Sequence, residues 1–276
     1  MTEASTATDA VDRAATRLID AAATATPCAP VRDLIGDTDV DAAYAVQQQV
    51  VADRLASGAN VVGRKIGLTS PAVQAQLGVD QPDFGVLLND MDVSADAGAV
   101  PTGRLLQPKV EAEVAFVLAR DLVDGDLGPE QVRAAVDYAV PALEIVDSRV
   151  AGWDITFGDT VADNASGGLY VLGTERRTLD DFAPVEVQME MTVNDQNVSS
   201  GNGAACLGDP LNALAWLAAT ARDHGQPLLA GQVVLSGALG PMAPVVAGDT
   251  VTATITGLGT VSATFATTDD TTGAHT

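Results

Sequence analysis

At 276 residues, 47% hydrophobic and 18% charged, the chain is an ordinary globular sequence with enough apolar material for one large core or two small ones. Its 14 basic and 37 acidic residues give a formal net charge of −23, which argues against nucleic acid or an anionic membrane as partner. There is no apolar run of about 18 residues or more and no basic segment leading into an apolar one, so a soluble cytoplasmic protein is expected. Two cysteines in unrelated contexts, Cys28 and Cys206, suggest neither a disulfide framework nor a zinc knuckle.

In chain order, residues 1–7 and 268–276 are small and polar and read as frayed tails. Residues 9–24 place Val11, Ala15, Leu18, Ile19 and Ala22 on one stripe, the spacing of an amphipathic helix. A second helix is predicted over 40–57, with Thr38 and Asp41 spaced like a capping box, Val40, Tyr44, Val51 and Leu55 on its apolar side, and Gly58 as its stop. From about residue 60 the pattern changes to short apolar runs separated by Gly, Pro and Asp. The predicted strands are VVGRKIGL, EAEVAFVLA, PALEIVD, GLYVLG, VEVQMEMTV, QVVLSGAL, TVTATITGLG and TVSATF. Two helices interrupt them: one over 129–139 opened by Pro129, and one over 210–223 with Asp209 as N-cap, Pro210 at the first position and Gly225 beyond the end. Many strands with few helices point to an α+β fold with a twisted, closed or rolled sheet. No repeat and no phosphate-binding loop is present, since GALGP and GLGT lack the helix that must follow.

Chemistry concentrates in LLQPKVEAE. Glu111 and Glu113 are two positions apart at the start of an apolar run, and residues i and i+2 of a strand share a face. Glu144 interrupts a second apolar run, VPALEIV. Inward carboxylates repel one another and lose solvation unless a cation neutralises them, and an all-oxygen set suits Mg²⁺ or Mn²⁺. A half-exposed strand end explains the same pattern, and the carboxylates alone leave both readings open. The lysines add a second signal. Only Lys65 and Lys109 occur among the basic residues, the other 12 being arginine. An ammonium can exchange its proton where a guanidinium cannot, so Lys65 in GRKIGLTS is a candidate acid, base or oxyanion partner. Lys109 would share the face of Glu111 and is expected to form a structural ion pair. The only histidines are His224, at the end of the Asp209-capped helix, and His275, in the tail, so a Ser/His/Asp triad or a His-activated water is not expected.

Taken together, GRKIGLTSPAVQAQLGVDQPDFGVLLNDM, LLQPKVEAEVAFVL, VPALEIVDSRVAGW, DTVADNASGGLYVLG, CLGDPLNALAWLA and the segment from VVLSGALGPM to TVSATF resemble the 2-oxopent-4-enoate (2-hydroxypenta-2,4-dienoate) hydratases of aromatic meta-cleavage pathways. These belong to the fumarylacetoacetase-like superfamily. The resemblance implies a mixed β-roll of the fumarylacetoacetase type at 61–267, with an N-terminal helical segment at 1–60 packed on it. It implies a divalent cation, Mg²⁺ or Mn²⁺, held by Glu111, Glu113 and Glu144, and a homo-oligomer. It further implies that Lys65 and Asp83, the aspartate of QPDFG, serve catalysis beside a bound 2-oxo acid, with Ser166 of ADNAS contacting the substrate. The alternatives are the sister 2-oxo-3-hexenedioate (4-oxalocrotonate) decarboxylase, a fumarylacetoacetase-type C–C hydrolase, and a non-catalytic subunit that binds a pathway partner. The hydrolase chemistry resembles a His/Glu-activated water, and no histidine falls in the 38–58 helix where that pair would lie. Intact carboxylates and Lys65 speak against a degenerate site.

Overall fold

The computed structural model describes residues 2–70, 74, 79–96 and 99–267; the C-terminal tail predicted at 268–276 and His275 within it lie outside them. Three helices open the chain: α1 (Thr2–Ala23), α2 (Arg32–Ile35) and α3 (Val40–Ala56). Residues 2–7, predicted as a frayed tail, are already helical. Asp39 caps α3 by accepting a 3.0 Å hydrogen bond from the Ala42 amide, so the cap lies one residue beyond the predicted Thr38. The helix buries Ala43, Tyr44, Val46, Gln47 and Val51, whereas Leu55, predicted on the same face, is exposed. Gly58 at φ +102° ends it, in the left-handed conformation that glycine adopts without strain.

Among the described residues twelve strands follow, with three further α-helices. The strands are β1 (Val61–Gly67), β2 (Asp83–Leu88), β3 (Ala99–Val100), β4 (Lys109–Leu118), β5 (Val136–Val146), β6 (Gly167–Leu172), β7 (Gln188–Val193), β8 (Gln196–Asn202), β9 (Val233–Ala238), β10 (Ala243–Pro244), β11 (Thr250–Ile255) and β12 (Gly259–Phe265). The helices are α4 (Pro129–Ala135), α5 (Phe157–Ala162) and α6 (Pro210–Asp223). Each of the eight predicted runs contains a strand. The helix predicted over 129–139 stops at Ala135, because Val136, Tyr138 and Val140 lie in β5, where they pair with β4. β-branched and aromatic residues favour that pleated setting.

The strands form two sheets. The larger runs β2-β1-β9-β4-β5-β6, with β10 added on β4; it is mixed, since β1 and β9 are parallel and the other pairs antiparallel. The smaller runs β3-β12-β11-β7-β8, and its β11 and β12 pack against β5 and β6 of the larger. A core containing Phe116, Leu143, Ile145, Val251, Ala253 and Phe265 fills the space between them. α3 lies between α1 and α5, and α6 covers β9 and α4. The folded chain is thus an α+β protein with curled sheets. Among the described residues no helix is long and apolar enough to cross a membrane.

Candidate active site

β4 and β5 pair so that Glu111 stands directly opposite Glu144, and Glu113, two residues on, projects from the same face. Directly opposed residues on one face have Cβ atoms about 5 Å apart. One ligand oxygen from each of the three carboxylates therefore falls within 4.8 Å of the others. Glu113 and Glu144 are 0% and 1% exposed, and Glu111, at 9%, is the one with access to solvent. Their oxygens are poorly satisfied. Glu113 Oε2 accepts from the Gly237 amide at 2.7 Å, but Glu113 Oε1 and both Glu144 oxygens have no hydrogen-bond donor. Burial, reinforced by the neighbouring carboxylates, raises the pKa of both Glu111 and Glu113 above the usual carboxylate range.

Lys65 comes from β1, three strands from β5 in the sheet order. That interval would be roughly 14 Å in a flat sheet. The Nζ of Lys65 nevertheless lies 3.1 Å from Glu144 Oε1, so the long lysine side chain reaches across the intervening strands to the acids. The contact is an ion pair without the alignment of a hydrogen bond, which is why both Glu144 oxygens still lack a donor. Burial of this 2%-exposed lysine pulls its pKa down, but Glu144, Asp83, Glu111 and Glu113 outweigh that effect and raise it, so Lys65 is held as an ammonium. Asp83 opens β2 directly opposite Gly67 of β1. A Cβ on Gly67 would lie 2.2 Å from Asp83 Oδ1 and 3.6 Å from Lys65 Nζ. The two groups converge over the bare face of that glycine, and any side chain there would displace the carboxyl. Asp83 Oδ1 is buried without a partner, and burial pushes the Asp83 pKa up to about 6.

Five of the six candidate site residues read from the sequence are thus gathered at one place. Ser166 makes no hydrogen bond to them: its Oγ pairs with Thr160 Oγ1 at 3.1 Å, and its carbonyl accepts from Asp147. The turn that carries it, Asn164–Ser166, packs on β1 and β2. Lys109 differs from expectation. Its ammonium sits over the Trp153 ring, 4.1 Å from the centroid, with no carboxylate in ion-pair contact among the described residues. Its position near the strand end puts it beside the Ala151–Trp153 turn and away from the acids. Gly237 was missed by sequence reasoning. At φ +107° in β9, it turns its amide to Glu113, and the glycine of VVLSGAL was the available signal.

Residues 61–266 match the family described as fumarylacetoacetate (FAA) hydrolase, C-terminal. The chain belongs to the fumarylacetoacetate hydrolase family. Within it, the chain is 54% identical over 257 residues to 2-keto-4-pentenoate hydratase 2 of Dechloromonas aromatica, covering 93% of this chain and 98% of that one. It is 52% identical over 267 residues to the TodF product hydratase of Pseudomonas putida, covering 96% and 99%. Among solved structures, 4-oxalocrotonate decarboxylase from Pseudomonas putida G7, complexed with magnesium and adipate, superposes with a TM-score of 0.87 at 33% identity, over 92% of this chain and 97% of that one.

Proposed function

We propose that this member of the fumarylacetoacetate hydrolase family is a metal-dependent hydratase that adds water to 2-hydroxypenta-2,4-dienoate, giving 4-hydroxy-2-oxopentanoate in aromatic meta-cleavage catabolism. The observation that carries the reading is the set of three converging buried carboxylates with unsatisfied oxygens beside a buried ammonium. Leaving such charges uncompensated costs several kcal/mol per ion, and a divalent cation removes that cost. The donor set, all carboxylate oxygen, fits Mg²⁺ or Mn²⁺. Glu111, Glu113 and Glu144 would hold it, and when bound it supplies a Lewis acid for the carboxylate and C2 oxygen of a 2-oxo acid.

The chain's own residues account for the proton movements. Lys65, fixed as an ammonium, donates a hydrogen bond to the C2 oxygen and stabilises the negative charge that grows there as the dienol loses its proton. Asp83, with a pKa of about 6, exchanges protons near neutrality: it takes up the proton the dienol loses and delivers it to C5. The result is the α,β-unsaturated 2-oxo acid, to which water adds as hydroxyl at C4 and proton at C3. Ser166, on the turn against β1 and β2, is assigned to the substrate. The remaining features of the reading are a rolled sheet over 61–267 with a helical segment at 1–60 docked on it, assembly into a homo-oligomer, and a cytoplasmic location.

The hydratase relatives match at higher identity than the decarboxylase, which favours hydration over decarboxylation. An ultraviolet assay of the Mg²⁺-loaded protein decides between them. Loss of freshly prepared 2-hydroxypenta-2,4-dienoate, with 4-hydroxy-2-oxopentanoate as product, is expected. Turnover of 2-hydroxymuconate with release of CO₂, and none of the shorter dienoate, would move the chain to the decarboxylases.

A further inference from the structure

We infer that Gln47 and Asn164 are positioning residues for the Asp83 carboxyl, acting by completing the outer edge of β2 where a neighbouring strand would otherwise lie. The inference rests on the reading of Asp83 as the proton-exchanging group. Among the described residues β2 is the last strand of its sheet and pairs only with β1. An edge strand leaves alternate N–H and C=O groups unpaired, and buried backbone groups must find other partners. Here side chains supply them. The Phe84 amide donates to Tyr44 Oη at 3.3 Å, and the Phe84 carbonyl accepts from Gln47 Nε2 at 2.9 Å. The Val86 amide donates to Asn164 Oδ1 at 2.8 Å, and the Val86 carbonyl accepts from Asn164 Nδ2 at 2.9 Å.

Asn164 therefore uses both ends of its carboxamide as a one-residue substitute strand. Two further features fit that role. Asn164, Ala165 and Ser166 have φ of +54°, +52° and +51°, three consecutive residues in a region that non-glycine residues rarely occupy. Opposite them, a Cβ on Gly85 would lie 2.6 Å from the Asn164 carbonyl oxygen and 3.2 Å from its Oδ1, so the absence of a side chain admits the close approach. Gln47 links the edge to a second element, since its Nε2 also donates to the Val161 carbonyl of α5 at 2.9 Å. Asp83 adjoins Phe84, and its Oδ1 has no donor to hold it. The placement of the carboxyl thus follows from the placement of its strand. Gln47 lies on α3, outside the 61–266 match to the family, which gives the N-terminal helices a part in the chemistry.

The test is a double-mutant cycle in the full-length Mg²⁺-loaded protein, assayed with 2-hydroxypenta-2,4-dienoate. Asn164→Ala and Gln47→Ala are each expected to lower kcat by about 10-fold or more, the scale of a misplaced reacting group. KM should stay within about 3-fold and calorimetric Mg²⁺ affinity should be unchanged, on the same misplacement argument. Asp83→Asn alone should cost roughly 100-fold. Adding Asn164→Ala to Asp83→Asn should then cost no more than about 2-fold further, because the effect passes through the carboxyl that is already gone. Losses that multiply in the double variant would overturn the inference while leaving the role of Asp83 intact. Full turnover in Asp83→Asn would instead overturn the reading on which it rests. Should Asn164→Ala fail to fold, Asn164→Asp keeps the acceptor for the Val86 amide and replaces the donor to its carbonyl with a charged carboxylate oxygen. Unchanged kcat in both Asn164→Asp and Gln47→Ala would equally overturn the proposal.

Discussion

Glu113 on β4 and Asp159 on α5 are both fully buried carboxylates, and they differ in what surrounds their oxygens. Asp159 has five donors: the amides of Val31, Arg32 and Thr156, the Arg32 guanidinium at 2.8 Å and the Thr156 hydroxyl. Glu113 has one, the Gly237 amide, and faces two other acids. Asp159 joins α2 to the start of α5, and its charge is spent on holding the fold. Glu113 has a charge the fold leaves uncompensated. Burial of an acid therefore says little about function, whereas burial without donors marks a group of acids that a cation could stabilise.

Variants at the two positions should fail in opposite ways. Glu113→Ala removes one ligand and one repelling charge, so Mg²⁺ affinity should fall by more than about 100-fold, beyond the loss typical of outer-shell groups. The metal-free variant should melt no lower than metal-free wild type. Unchanged affinity by calorimetry would remove Glu113 from the ligand set. Lys65→Arg comes next in size. Arginine keeps the charge, but its planar fork is larger and cannot take the place of the compact ammonium beside the C2 oxygen, and kcat should drop roughly 100-fold with metal affinity and Tm nearly constant. Turnover close to wild type would return Lys65 to a purely structural ion pair with Glu144. Asp159→Ala should show the reverse pattern, a stability loss of about 3 kcal/mol because it removes the acceptor of three amides and leaves the Arg32 guanidinium with Asp154 alone, with Mg²⁺ affinity unaltered. An Asp159→Ala protein that keeps its Tm but loses Mg²⁺ would erase the distinction drawn here.

The smallest effect is on the pH dependence of stability. Asp83, Glu111 and Glu113 all have native pKa values above their usual ones, Asp83 at about 6. Between the unfolded and native values the folded chain holds protons that the unfolded chain has lost, so these groups lower stability as pH rises through that window. For Asp83 the window runs from 3.8 to about 6. In metal-free protein the decline in Tm from pH 4 to pH 7 should be shallower by a few degrees in Glu113→Gln than in wild type. Parallel curves would show that Glu113 is not protonated in the native state.

The strands were legible wherever apolar residues ran together, and Glu111 with Glu113 was legible because a two-residue period is local. That Glu144 would face Glu111 was not, because it depends on the register between β4 and β5, which no local pattern encodes. β2 was concealed by the Pro, Asp and Gly of QPDFG. β8, QNVSSGN, is mostly polar and was missed, although Asn194 and Asp195, both at positive φ, form a two-residue hairpin turn that the Asn-Asp pair after VEVQMEMTV could have signalled. The outward-facing Gln47 and Asn164 contacts require knowing that β2 is an edge, which is a property of sheet order and appears nowhere in sequence spacing. Lys109 was read as an ion-pairing residue because it stands two positions from Glu111, but the Trp153 ring reaches it through a turn distant in sequence.

The central claim is that the unsatisfied acids of β4 and β5 are a cation site on which hydration depends. The most direct test is to strip the protein with EDTA, remove the chelator, and follow 2-hydroxypenta-2,4-dienoate in the ultraviolet before and after adding Mg²⁺ or Mn²⁺. Turnover should vanish in the stripped protein and return with either ion. Full turnover in protein shown to be free of metal would contradict the account.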